Sequence, residues 1–170
     1  MKPLEAIDWQ HLSGPFGIDA TLPEAIAALQ ASYSHELLDD IIWERIYHQN
    51  TLYENSFAAI PYLVNIAASA TDPAIQENIL SSLAVLISED GNEPVPDTIP
   101  AEFHDNKEIT AAKAREIFNE YLASLKLLPA LCAALVPYVS KQEDDEGKTY
   151  FLAAIAVAHG HRQFARLLVC

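Results

Sequence analysis

The chain is short of positive charge: it carries ten Lys and Arg among 170 residues, against 24 Asp and Glu, for a formal net charge of −14. Gripping a phosphate backbone takes clustered cations, so this composition speaks against direct nucleic-acid binding. Cysteine is equally scarce. Two residues, Cys132 and Cys170, build no disulfide framework and suit a reducing cytoplasm, the compartment expected here. Only five glycines occur, and none sits in a phosphate-cradling loop. The opening stretch MKPLEAIDWQ has acids and no apolar core, so it does not read as a signal peptide. No run of about 20 apolar residues is apparent, so neither a transmembrane helix nor a membrane partner is expected.

What is abundant is apolar residues, at 51% of the chain. That fraction offsets the entropy of ordering the backbone, and the length fits one domain spanning 1–170. Residues 1–20 read as an irregular N-terminal segment. Beyond it the apolar spacing is helical nearly everywhere. Thr21-Leu22-Pro23-Glu24 has capping-box spacing for a first helix, and Ser34 caps a second that runs through Ile41, Ile42 and Ile46 to Tyr47. A third begins near Glu54 and contains Pro61; a fourth has Asp72 as cap and Pro73 at its first position, and stops before Gly91. Residues 91–106 form a long loop rich in proline. Helices over 107–125 and 128–140, a charged turn at 142–147, and two short helices at 149–158 and 161–169 complete an all-α reading of about eight helices and no strand. The fragments AAIPYLVNIA (58–67) and KLLPALCAAL (126–135) match loosely, which predicts a right-handed α-solenoid, a HEAT/armadillo-like superhelix. A simple helical bundle would give similar periodicity.

The segment from Trp43 to Ala67, about 25 residues, resembles a signature of bacterial HEAT/armadillo-like repeat proteins: His-Gln-x-Thr-x-Tyr followed by Ala-x-Pro-x-Leu. The matching positions are His48, Gln49, Thr51, Tyr53, Ser56, Ala59, Pro61 and Leu63, with Asn50 standing where glycine is expected. Both residue types tolerate a left-handed turn, so the bend should survive. The resemblance implies an armadillo-like fold and an immunity role beside a bacterial toxin. It carries over no catalytic residue.

Charge is distributed unevenly. Residues 1–106 hold 17 acids and two bases, Lys2 and Arg45, for a net of −15, whereas residues 107–170 hold seven acids and eight bases, for a net of +1. A cationic partner would be attracted to the first part. On an α-helix of about 100° per residue, Glu36, Asp39, Asp40 and Glu44 fall within roughly 140°, and Trp43 and Tyr47 project into the same arc. Aromatic rings give rigid contact area and cation–π capacity while carboxylates select cations. Arg45 projects from the opposite side, so it is expected not to neutralise these acids. His48-Gln49-Asn50-Thr51 is a second polar cluster, able either to grip a ligand or to tie down the turn. Trp43 and Tyr47 could equally pack against neighbouring helices.

These features predict a protein–protein interaction module and not an enzyme. Its binding residues would be Glu36, Asp39, Asp40, Trp43, Glu44, Tyr47, His48 and Gln49, and its partner a basic protein such as a toxin of nuclease type. The alternative is a small hydrolase or ligand-binding enzyme using carboxylates near His48. Catalytic signatures, cofactor motifs and metal-ligand spacings are not found; His35 and Asp39 have i, i+4 spacing but no third ligand. The apolar C-terminal helix, FARLLVC, lacks a polar cap repeat, which predicts a homodimer through the C-terminal helices or a longer native chain.

Overall fold

A computed structural model describes residues 2–89 and 98–169. The protein is mostly helical, and its helices pack against one another, as an all-α reading requires. Two short antiparallel hairpins depart from the strand-free expectation: β1 (Ser13–Gly14) with β2 (Gly17–Ile18), and β3 (Tyr47–His48) with β4 (Thr51–Leu52). The chain divides into two compact units, one formed by Met1–Tyr62 and Pro94–Ala123, the other by Leu63–Glu93 and Ser124–Cys170. The first part of the expected 91–106 loop lies outside the described residues. Its end carries a short 3-10 turn, Ala101–Phe103, with Phe103 buried.

In the first unit, α1 (Leu22–Ala31) presents Leu22, Ile26 and Leu29 to the core. Its capping box does not form. Thr21 instead donates its amide and hydroxyl to Asp19 Oδ1, at 2.9 and 2.7 Å. Ser34 does cap the next helix, accepting from the amide of Leu37 at 3.3 Å. That second helix is not uniform: α2 (His35–Asp39) passes into a π-helix over Asp40–Ile46. α3 (Glu54–Ser69) runs through Pro61 and crosses from the first unit into the second. α5 (Ala111–Leu125) brings Phe118 and Tyr121 to Phe57 of α3, with edge-on ring contacts at 5.9 and 5.2 Å; Phe103 completes the cluster at 5.8 Å. Aromatic pairs prefer such tilted geometries because a ring's positive edge meets its neighbour's negative face.

In the second unit, α4 (Pro73–Glu89) packs against α6 (Leu128–Val139), α7 (Asp145–Ala158) and α8 (Arg162–Val169), and α7 packs on both α6 and α8. Asp72 accepts from the amide of Ala74 at 2.9 Å, as its capping position predicts. α7 begins inside the expected charged turn, because Asp144 accepts from the amides of Glu146 and Gly147, both at 3.1 Å. Cys132 is buried on α6, and desolvation pushes its thiol up to about 11, which makes it an inert core group.

Among the described residues, one helical stretch, Ala111–Val139, is long and apolar enough to cross a membrane by length and composition alone, and 28% of its most apolar window is buried. The turn at Lys126–Leu127 divides it into α5 and α6.

Glu77 on α4 is half-buried. Burial raises its carboxyl above the usual range, and Asp144 acts in the same direction, while a hydrogen bond from Gln142 opposes them. A raised folded-state pKa means the folded form holds the proton more tightly. This group therefore stabilises most at acid pH and loses that contribution as pH rises through the carboxylate range. Glu77→Gln is accordingly expected to raise the melting temperature at pH 7, with the gain vanishing below pH ~4. Parallel thermal melts at the two pH values check this; an equal gain at both would assign the effect to packing.

Candidate functional site

The acidic residues singled out from the sequence gather in the first unit, around the π-helix. Here the ladder runs from i to i+5, so residues five apart share a side. Asp40 and Arg45 are five apart. Arg45 Nε donates to Asp40 Oδ2 at 2.6 Å, and its Nη1 reaches Asp19 Oδ2 at 3.2 Å and Thr21 Oγ1 at 3.0 Å. This corrects the expectation that Arg45 leaves the acids alone: an α-helical projection of 100° per residue fails where the helix widens. The guanidinium is held above its usual value; partial burial acts downward, but Asp40 and Asp19 outweigh it. Asp19 is held low: its own burial acts upward, and is outweighed by hydrogen bonds from Thr21 and by Arg45.

The remaining acids stay outward. Glu36 and Glu44 are exposed, and Asp39 is half-exposed, with His35 Nε2 at 3.4 Å. A hydrogen bond from the Ser34 hydroxyl holds the Glu36 carboxyl low, so it keeps its charge as pH falls further than an ordinary glutamate would. The two aromatics part company. Trp43 is half-buried, while Tyr47 is 6% exposed, meets Trp43 edge-on at 5.6 Å and donates its hydroxyl to Asn50 at 3.2 Å. Tyr47 is thus largely covered, with its ring against Trp43.

His48-Gln49-Asn50-Thr51 is a hairpin turn. Tyr47 pairs with Leu52 and His48 with Thr51, leaving Gln49 and Asn50 as a two-residue loop at φ 49° and 59°. Two positive φ values are what a type I′ hairpin requires, and asparagine tolerates them well. Gln49 does so less readily, and its side chain stands exposed. Thr51 does not cap α3; its hydroxyl bonds the Gln49 carbonyl at 3.3 Å. The start of α3 is tied by Asn55 and Ser56 instead. Ser56 Oγ accepts from the Tyr53 amide at 2.7 Å and donates to the Ile46 carbonyl, and Asn55 Nδ2 donates to the Arg45 carbonyl at 2.9 Å. These two side chains satisfy carbonyls at the open end of the π-helix.

Two residues overlooked in the sequence complete the surface. Phe16 and Ile18, on the β1–β2 hairpin, are 72% and 60% exposed. Phe16 lies against the His48 ring at 5.1 Å, and Asp19, the residue after β2, is tied to the π-helix through Arg45. The signal available was the lone Phe between two glycines in Gly14-Pro15-Phe16-Gly17, a turn that lifts its side chain off the chain's own core. Beneath this hairpin, Glu54 at the head of α3 is 2% exposed, and its Oε2 accepts from Ser13 N, Ser13 Oγ and Asn106 Nδ2 at 2.8, 2.9 and 2.7 Å.

Compared with protein-family models, with curated proteins and with solved structures, the chain matches none of them. The site must therefore be read from its own chemistry. Among the described residues, no group of three or more His, Cys, Asp or Glu side chains is placed to hold a metal ion.

Proposed function

We propose that this protein binds a basic partner protein through the surface formed by the β1–β2 hairpin, α2 and the π-helix. The carrying observation is the exposed Phe16–Ile18 pair, standing beside His48 and anchored by Arg45 to a helix bearing Glu36, Asp39 and Glu44. Apolar anchors within a charged setting are how protein interfaces divide their work: the rings supply affinity, and the carboxylates supply steering and choice of partner. A π-turn and a left-handed glutamine in the same stretch fit this reading, since such departures from regular geometry concentrate where function demands them. Within it, the partner is a cationic toxin, of nuclease type, met by carboxylates where nucleic-acid phosphates would sit. The reading also includes a cytoplasmic location and a right-handed, HEAT/armadillo-like stacking of the helices, which the successive packing of α6 on α7 and α7 on α8 supports.

The test is affinity capture from the source cell with the wild-type chain, followed by rebinding of the captured protein to variants. The expected partner has a high isoelectric point and associates more slowly as salt rises. Asp39→Lys with Glu44→Lys should lower its association rate at least tenfold, and Phe16→Ser should raise its dissociation rate by a similar factor. A partner that binds both variants as tightly as wild type would place the interface elsewhere.

A further inference from the structure

The β1–β2 hairpin is held differently at its two feet. At the first, Gly14 is buried against Asn55 and the Arg45 carbonyl, and Ser13 donates to the buried Glu54. At the second, Leu22 is fully buried at the start of α1, but none of residues 15–21 between Gly14 and Leu22 is buried. A stretch without apolar burial depends on its polar ties and opens before the rest of a fold. Beyond the strand pairs Ser13–Ile18 and Gly14–Gly17, the polar ties from this stretch to the rest of the unit converge, among the described residues, on Arg45. Its Nη1 reaches Asp19 Oδ2 at 3.2 Å and Thr21 Oγ1 at 3.0 Å, while its Nε is fixed on Asp40 Oδ2 at 2.6 Å. The π-helix makes this possible. In a regular α-helix Asp40 and Arg45 would point about 140° apart; the wider turn brings them to one side, so that Asp40 holds the guanidinium and its outer nitrogen is left for the hairpin.

We infer that Arg45 is a positioning residue for the Phe16–Ile18 tip: its bond to Asp19 is a latch, and opening it frees residues 15–21 while the core of the unit stays folded. The inference rests on the reading above in one respect, that this tip meets the partner. A tip already fixed in place loses less freedom on contact, so the latch acts on how long a complex lasts. The outward acids act instead on how fast it forms. The side chains of Arg45 and Asp19 are 26% and 28% exposed, open enough to solvent for salt to screen the pair.

Hydrogen exchange of the full chain, with no partner present, tests the latch. Asp19→Asn keeps an acceptor for Thr21 and removes the charge; Arg45→Met keeps an apolar stem and removes the guanidinium. Each should speed exchange of the amides over residues 16–21 about tenfold, through loss of a charge-assisted hydrogen bond, while α3 and α5 exchange as in wild type. The double variant should exchange no faster than Arg45→Met alone, because both changes break one interaction. Sodium chloride at about 1 M should speed this segment in the wild type and leave Asp19→Asn unchanged. Exchange over residues 16–21 that stays at the wild-type rate in Asp19→Asn, or that rises equally in α3, overturns the latch. So does a wild-type segment that already exchanges like unprotected chain. These results are independent of any partner. Against the captured protein, Asp19→Asn should raise the dissociation rate as Phe16→Ser does. A latch that opens as expected with that rate unchanged removes the tip from the interface, which overturns the reading above and the positioning role together while the latch itself stands.

Discussion

Glu54→Ala is expected to destabilise the first unit by about 2–4 kcal/mol, from a cavity at the head of α3 and hydrogen bonds that water only partly replaces at the exposed Ser13 and half-exposed Asn106. The glutamate is nearly fully buried, and a single oxygen collects three hydrogen bonds from two distant segments, Ser13 and Asn106. Asn106 Nδ2 also bonds the His11 carbonyl at 2.8 Å, so the carboxylate fastens residues 11–13 and 106 to one helix turn. Losing it should loosen the β1–β2 hairpin first, and with it the orientation of Phe16. Glu54→Gln keeps an oxygen acceptor of the same shape and should cost less than half as much. Urea denaturation of both variants measures the difference. Equal losses would mean that side-chain volume, not the hydrogen bonds, holds this corner.

Gly14→Ala should cost a comparable ~2–4 kcal/mol, from overpacking and one disrupted buried hydrogen bond. A methyl group there would sit 2.5 Å from Asn55 Nδ2 and 2.9 Å from the Arg45 carbonyl oxygen, the two partners of a 2.9 Å hydrogen bond. The clash is partly with backbone, which cannot swing aside. Asn55 Oδ1 is buried and has no partner among the described residues, so pushing the amide away leaves both ends of that side chain unsatisfied. Gly17 makes the contrast. Among the described residues nothing lies within 4 Å of its missing side chain, and alanine there meets only the strain of φ +102°, about 1–2 kcal/mol. Combining Gly14→Ala with Asn55→Ala should relieve part of the loss, because the side chain struck by the new methyl group is gone. If the two losses simply add, close approach to Asn55 is not the cause.

These tie points mark where sequence reasoning stopped. The caps at Ser34 and Asp72 were readable because they depend on residues within a turn of one another, and both form as their spacing implies. The capping box at Thr21 was equally well spaced and does not form, because Asp19 takes the threonine's hydrogen bonds first. The left-handed turn at Asn50 was also local, and its φ of 59° agrees. Asn55 and Ser56, by contrast, bond carbonyls ten residues back. Asn55 carried no local signal, and Ser56 was marked only as a position in the Trp43–Ala67 signature, without the partner it ties down.

The scarcity of bases, the lopsided charge and the helical spacing of apolar residues belong to the sequence alone, because composition and period need no knowledge of what lies across the core. The all-α character follows from them. Which acids stay free was a tertiary matter: one widened turn carried Arg45 round to Asp40, and the hairpin carrying Asp19 supplied the second partner. The exposure of Phe16 and the burial of Tyr47 were likewise settled by which segments fold over which, with both aromatic residues equally plausible on either side. The packing of α4 against α7 and α8 joins helices separated by more than fifty residues, and only the folded chain could choose it, since an apolar stripe specifies that a face must be covered and leaves open by what.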